Sequence, residues 1–162
     1  MKTAIVYYSM FGNSEYVAGI IASMLDADVI RLEPEKAYPT KGLRKFIHGG
    51  RSAIKGETPK LKPYEFDGER YDRVILGFPV WAGCPAPPIG TFIKENSEAL
   101  KDKRLAAAVS FSGGGADKAL AKLRELLGVD ALEAELILVD PKTKPASKKE
   151  MAIKEFCEGL EQ

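Results

Sequence analysis

Cysteine, histidine and tryptophan are nearly missing from this chain, at two, one and one among 162 residues. Cys84 and Cys157 are too few and too far apart for a disulfide framework or a metal knuckle. With His48 as the single histidine, there is no basis for a zinc site, and no Ser–His or Cys–His arrangement stands out. Long apolar runs are missing as well: none approaches the roughly 18 residues of a membrane span. The N-terminus lacks a charged-then-apolar leader with a cleavage site, so the expected location is the cytoplasm. Nor is there an excess of one charge, since 24 Lys and Arg face 23 Asp and Glu for a net +1. Without a basic balance or interleaved aromatics, nucleic-acid binding is not expected.

What is present is ordinary for a soluble globular protein: 45% hydrophobic and 29% charged residues. The length predicts one domain over 1–162, long enough for a sizeable core, with no repeat, low-complexity tract or linker. Residues 4–8, 74–78 and 105–111 are near-continuous apolar runs, as strands buried on both faces should be. Residues 29–32, interrupted by Arg31, suit an edge strand, and 136–139 supply a fifth run. Between them, apolar residues recur at helical offsets. They are Val17, Ile21, Met24 and Leu25; then Leu43, Phe46, Ile47 and Ile54; then Ile89, Phe92 and Ile93. Ala119, Leu120, Leu123, Leu126 and Leu127 form a fourth set, and Ala152, Phe156 and Leu160 a fifth. Five alternating pairs predict an α/β three-layer sandwich: a parallel sheet of order 2-1-3-4-5 with helices on both faces. Ligands of such sheets bind at the carboxyl ends of the strands, where the order reverses between strands 1 and 3.

Three loops fall at that edge. The first is Ser9-Met10-Phe11-Gly12-Asn13-Ser14, between an apolar strand and a periodic helix. Backbone N–H groups at a helix N-terminus favour an anion, Gly12 permits close approach, and Ser9, Asn13 and Ser14 can add donors. Such a turn serves either as a phosphate cradle or as a plain helix cap. It lacks the Lys of a P-loop and the spacing of the dinucleotide fingerprint. The second loop contains Pro79-Val80-Trp81-Ala82-Gly83-Cys84, expected as a turn from strand to helix. Trp81 can stack on a planar ligand or pack over the strand ends, and Ala82 and Gly83 let the backbone approach a polar edge. Pro87 or Pro88 can open the next helix. The third loop is Ser112-Gly113-Gly114-Gly115. Three successive glycines are costly in backbone entropy, which points to unusual dihedrals or close approach, or else to a flexible turn.

The first loop resembles the phosphate loop of flavodoxins, roughly Ser/Thr-x-Thr-Gly-x-Ser/Thr. Phe11 departs from that pattern. With the preceding Tyr7-Tyr8-Ser9-Met10 it is similar to the flavodoxin-fold NAD(P)H:quinone oxidoreductases related to the tryptophan-repressor-binding protein. The second loop resembles the Pro-x-Trp-x-Gly form that binds the isoalloxazine ring. The resemblance covers essentially the whole chain and is weakest over 35–70. It implies flavin mononucleotide (FMN) as cofactor, held by the sixteen residues of the three loops just named. FAD is disfavoured because no second Gly-rich phosphate site appears. The second stacking tyrosine of classical flavodoxins is absent from the third loop, so one flavin face is expected to be open, with Phe111 the nearest aromatic.

With such a cofactor the flavin carries the chemistry and no catalytic side chain is required. Cys84 reads as a small apolar residue near the ring rather than a redox thiol, Cys157 as helix core, and His48 as a solvated helix residue. The leading expectation is a carrier of electrons between redox partner proteins. The alternative is an NAD(P)H-dependent quinone or nitro-compound reductase, although the long insertions of those enzymes are lacking. A third is a regulatory flavin module without turnover. Lys41, Arg44, Lys45, Arg51, Lys55, Lys60 and Lys62 face one acid, Glu57, between residues 40 and 63. That imbalance suits a solvated helix face, an acidic partner or an anionic substrate.

Overall fold

The computed structural model describes residues 1–42, 44–144 and 146–162, with residues 44–46 described for backbone only. Leu43, expected on a helix, lies outside the described residues. The elements are β1 (Thr3–Tyr7), α1 (Asn13–Leu25), β2 (Asp28–Arg31), α2 (Arg44–Ile54) and β3 (Arg73–Trp81). They continue with β4 (Cys84–Pro85), α3 (Pro87–Glu95), α4 (Ser97–Leu100), β5 (Arg104–Phe111), α5 (Ala116–Leu127), β6 (Glu135–Val139) and α6 (Ser147–Glu161). Five parallel strands run in the order β2-β1-β3-β5-β6, which is the expected doubly wound order. The addition is β4, a two-residue antiparallel strand folded back on β3.

Side-chain alternation along the central strands sorts the apolar residues into two cores. Ala4 and Val6 of β1, Val74 and Leu76 of β3, and Ala107 and Val109 of β5 meet Phe92 of α3 and Leu120 and Leu123 of α5. Ile5, Ile75 and Ala106 face the other way, against Val17 and Ile21 of α1 and Ile153 and Phe156 of α6. All five β1 residues are therefore buried, as an inner strand between two helical layers must be. The register sets Val6 beside Leu76 and Leu76 beside Ala107. Strand β6 behaves differently. As an edge strand it buries Leu136 and Leu138 but exposes Ile137 and Val139.

Among the described residues the buried charged groups are Arg73 and Asp140. Arg73 is buried at the start of β3, where Nε and Nη2 donate to the Glu133 carboxylate at 2.8 and 2.7 Å. Nη2 also donates to the Leu160 carbonyl at 2.6 Å, joining the foot of the sheet to the end of α6. Arg104 reaches the same carboxylate. The segment over which the resemblance is weakest is held by backbone pairing, Glu35 N to Lys60 O at 2.8 Å and Lys62 N to Glu33 O at 2.7 Å.

Candidate functional site

The phosphate-type loop is the turn from β1 into α1. Gly12 caps the helix in the left-handed region, φ 95°, where a Cβ is strained, and no side chain caps that helix end. Its N–H donates to Ser9 Oγ at 3.0 Å, and its carbonyl accepts from Tyr16 N at 3.0 Å to close the first helical turn. The first-turn N–H groups of a helix have no intrahelical acceptor, which leaves a positive dipole end at this place. Ser14 is buried, with Oγ 3.0 Å from Ser110 Oγ, so the loop is pinned to β5.

The second loop corrects the sequence expectation. Trp81 is the last residue of β3, and Ala82 and Gly83 form a two-residue hairpin turn rather than a strand-to-helix loop. Both turn residues have positive φ, 50° and 72°, as primed hairpin turns require. Pro87 and Pro88 then open α3 as expected. The indole is edge-on to Tyr8 at 5.6 Å and Tyr38 at 4.9 Å between centroids. Helix α2 rests on it: a Cβ at Gly49 would lie 3.2 Å from Trp81 Cε3. Burial pushes the Tyr8 and Tyr38 phenols above their ordinary value, so both keep their protons at neutral pH.

The third loop follows β5 and ends at Gly115, the left-handed cap of α5 with φ 84°. A Cβ there would stand 3.0 Å from Gly83 Cα, so the glycine run and the hairpin turn touch backbone to backbone. Ser112 Oγ donates to Asp140 Oδ1 at 2.6 Å. This hydrogen bond, aided by Lys144, holds the Asp140 carboxyl below its ordinary range.

These loops enclose a cleft of about 600 Å³ at the carboxyl ends of β1, β3 and β5. Of the expected residues it is lined by Ser9, Met10, Phe11, Asn13, Ser14, Pro79, Val80, Trp81, Ala82, Ser112, Gly113, Gly114 and Gly115. Gly12 and Gly83 stand outside the wall, the first shaping the helix cap and the second backing Gly115. Cys84 is not in the cleft either. The hairpin reverses the chain, and Cys84 lines a separate cavity with Lys94, Lys122 and Leu126. Gly50, Ser110 and Phe111 complete the wall. Gly49-Gly50 inside a helical pattern and Ser110 in an apolar strand were the signals for two of them. Cys157, as expected, is buried core, and burial raises its thiol to about 11.

The wall carries no Asp, Glu, Lys, Arg, His, Cys or Tyr side chain among the described residues. It suits a ligand with an anionic end at the α1 terminus and a flat apolar body beside Trp81 and the glycines. Among the described residues no His, Cys, Asp and Glu cluster could hold a metal ion, and no helix is long and apolar enough to cross a membrane.

The fold is shared with known flavoproteins. A Lactobacillus acidophilus flavoprotein crystallised with FMN is 23% identical with a TM-score of 0.72, over 86% of this chain and 93% of that one. A Bacteroides eggerthii protein described as a flavoprotein is 19% identical with a TM-score of 0.79, over 99% and 98%. The flavodoxin, WrbA-like protein of Agrobacterium tumefaciens is 16% identical with a TM-score of 0.62, over 99% and 95%. No curated protein sequence matches significantly. The flavodoxin family profile matches residues 2–154, a span that takes in the whole sheet and all three cleft loops, and on that match the chain belongs to the flavodoxin family.

Proposed function

We propose that this protein binds FMN in the three-loop cleft and carries electrons between redox partner proteins in the cytoplasm. The cleft fits the cofactor by shape and chemistry. Its volume lies within the roughly 300–1,000 Å³ typical of cofactor sites, and its uncapped α1 terminus suits a phosphate. Trp81, Val80 and the backbone of 113–115 would hold the ring, while residues 9–14 would hold the phosphate. Bound FMN supplies the redox chemistry, and the chain contributes position, solvent access and potential.

The observation that carries the carrier reading is the absence of any proton-exchanging side chain from the described wall. The nearby phenols of Tyr8 and Tyr38 hold their protons tightly, so neither is tuned as a general acid or base. Such a wall suits electron transfer at a cofactor edge better than turnover of a substrate needing protonation.

Direct reduction by NAD(P)H is the second reading, favoured by one feature. A basin of about 580 Å³ on α2 is lined by His48, Arg51, Ser52, Lys55, Glu57, Ile47 and Pro39. Arg51 and Lys55 make no ion pair there among the described residues, whereas Lys60 and Lys62 pair with Glu35 and Glu33 at 3.4 and 3.1 Å. His48 is exposed, and its ring also packs edge-on to Tyr38 at 5.7 Å. Two free cations would suit either an acidic partner face or the phosphates of a dinucleotide. Stopped-flow mixing of the FMN-loaded protein with NADH or NADPH separates the readings. Reduction only when a reductase is added supports the carrier, and fast direct reduction replaces it with the enzyme.

A further inference from the structure

The turn after β6, which the sequence reading did not select, reaches back across the sheet to two of the three cleft loops. Asp140, left-handed at φ 39°, accepts from Ser112 of the glycine loop. Two residues on, Lys142 N donates to Asn13 Oδ1 at 3.0 Å, so the turn is bonded to the phosphate-type loop as well. The Lys142 side chain follows the same direction. Its Nζ would be 2.8 Å from a Cβ at Gly12, with Cδ at 3.3 Å, so the ammonium stands against the left-handed cap of α1.

Its charge is uncommitted. The carboxylates at neighbouring positions have other partners: Asp140 is bonded to Ser112 and paired with Lys144 at 3.4 Å, and Glu15 is paired with Arg31 at 3.0 Å. Lys142 forms no ion pair among the described residues, and no described residue of the cleft wall is cationic. The remaining positive field at the loop comes from the helix end, equivalent to roughly half an elementary charge. A phosphate monoester near neutral pH carries about −1.5 to −2. The helix end therefore leaves most of that charge unmatched.

We infer that Lys142 is the cation of the phosphate site, supplied by the β6–α6 turn, and that it makes the cleft select phosphorylated flavin over riboflavin. This inference rests on the FMN reading above. A charge-assisted hydrogen bond from an ammonium to a phosphate is about twice as strong as a neutral one. Because the side chain is exposed, its contribution is screened by salt.

The test titrates flavin-free wild-type protein, Lys142→Met and Lys142→Arg with FMN and with riboflavin, following flavin fluorescence at low and high salt. Lys142→Met should weaken FMN binding on the order of tenfold, leave riboflavin binding unchanged and flatten the salt dependence for FMN. Lys142→Arg should restore FMN affinity to within a few-fold, because the charge is retained. Both variants keep the backbone bond to Asn13, so equal melting temperatures would separate a charge effect from a folding effect. An FMN-to-riboflavin affinity ratio that is the same in Lys142→Met as in wild type overturns the inference and leaves the flavin reading intact. Failure of the wild-type protein to bind either flavin overturns that reading and this inference with it.

Discussion

Gly115→Ala would place a methyl carbon 3.0 Å from Gly83 Cα and 3.4 Å from Gly83 N. Neither neighbour is a side chain that can swing away, so the glycine loop and the hairpin turn must separate. Two terms then add. An alanine in the left-handed region costs about 1–2 kcal/mol, and overpacking against fixed backbone about 1–3 kcal/mol. Against these, alanine restricts the unfolded chain and returns about 0.4–1 kcal/mol. The expected net loss of stability is about 1–4.5 kcal/mol. Its neighbours provide internal controls. Gly114 has φ 142°, outside the left-handed helical region but strained for an L side chain, with open space around its Cβ, so strain of about 1–3 kcal/mol less the same unfolded-chain gain leaves a loss of about 0–2.5 kcal/mol for Gly114→Ala. Gly113 has neither constraint, and Gly113→Ala should be neutral or up to about 1 kcal/mol stabilising. Urea unfolding of the three variants measures the order through the midpoint at unchanged slope. FMN titration should show the same order, because the two separated segments form the ring end of the proposed site. If Gly115→Ala and Gly113→Ala unfold within about 0.5 kcal/mol of each other, the backbone contact does not constrain the fold.

Trp81 emission should fall when FMN is added to flavin-free protein and recover on its removal. Trp81→Ala should weaken FMN binding by about 1–3 kcal/mol, and an unchanged Kd would confine Trp81 to packing against Tyr8, Tyr38 and Gly49. Glu133→Ala strands the buried Arg73 guanidinium and should cost about 3–5 kcal/mol, read as a melting point lower by roughly 6–20 °C, while FMN affinity changes little. A melting point lowered by under about 2 °C would show that Arg73 finds water instead. Asp140, with its carboxyl held low chiefly by Ser112, adds stability above its ordinary value of 3.8 that disappears as pH falls through the lowered one. Ser112→Ala should move the Asp140 carboxyl titration, followed by NMR, up toward 3.8; no movement would remove Ser112 as the cause.

The sheet was legible because strands buried on both faces must be apolar at successive positions, as Ile5, Val6, Ile75 and Leu76 are. Right-handed crossovers then made the doubly wound order 2-1-3-4-5 the natural choice. The hairpin was not legible. Its turn is Ala82-Gly83, without the Asn or Asp that usually marks two left-handed positions, and Pro85 argues against a strand. Reading a loop there carried Cys84 toward the ring, where the reversal at Gly83 does not take it. The contribution of α2 was hidden for another reason. Gly49-Gly50 weakens a helix by propensity, and only the tertiary contact with Trp81 shows why small residues stand there. Lys142 left no local trace at all, since it meets Asn13 across 129 residues.

That long-range meeting has a consequence for the order in which the site can be assembled during synthesis. Residues 1–115 include every described residue of the cleft wall, and they leave the ribosome well before the turn at 139–142. The residues of β1, β3 and β5 are thus all made while that turn is still unmade. At that stage Ser112 and Asn13 lack the acceptor and the donor that fix them in the finished fold. The nascent protein therefore has every described residue of the cleft wall before it has the two bonds that tie the first and third loops to the turn after β6.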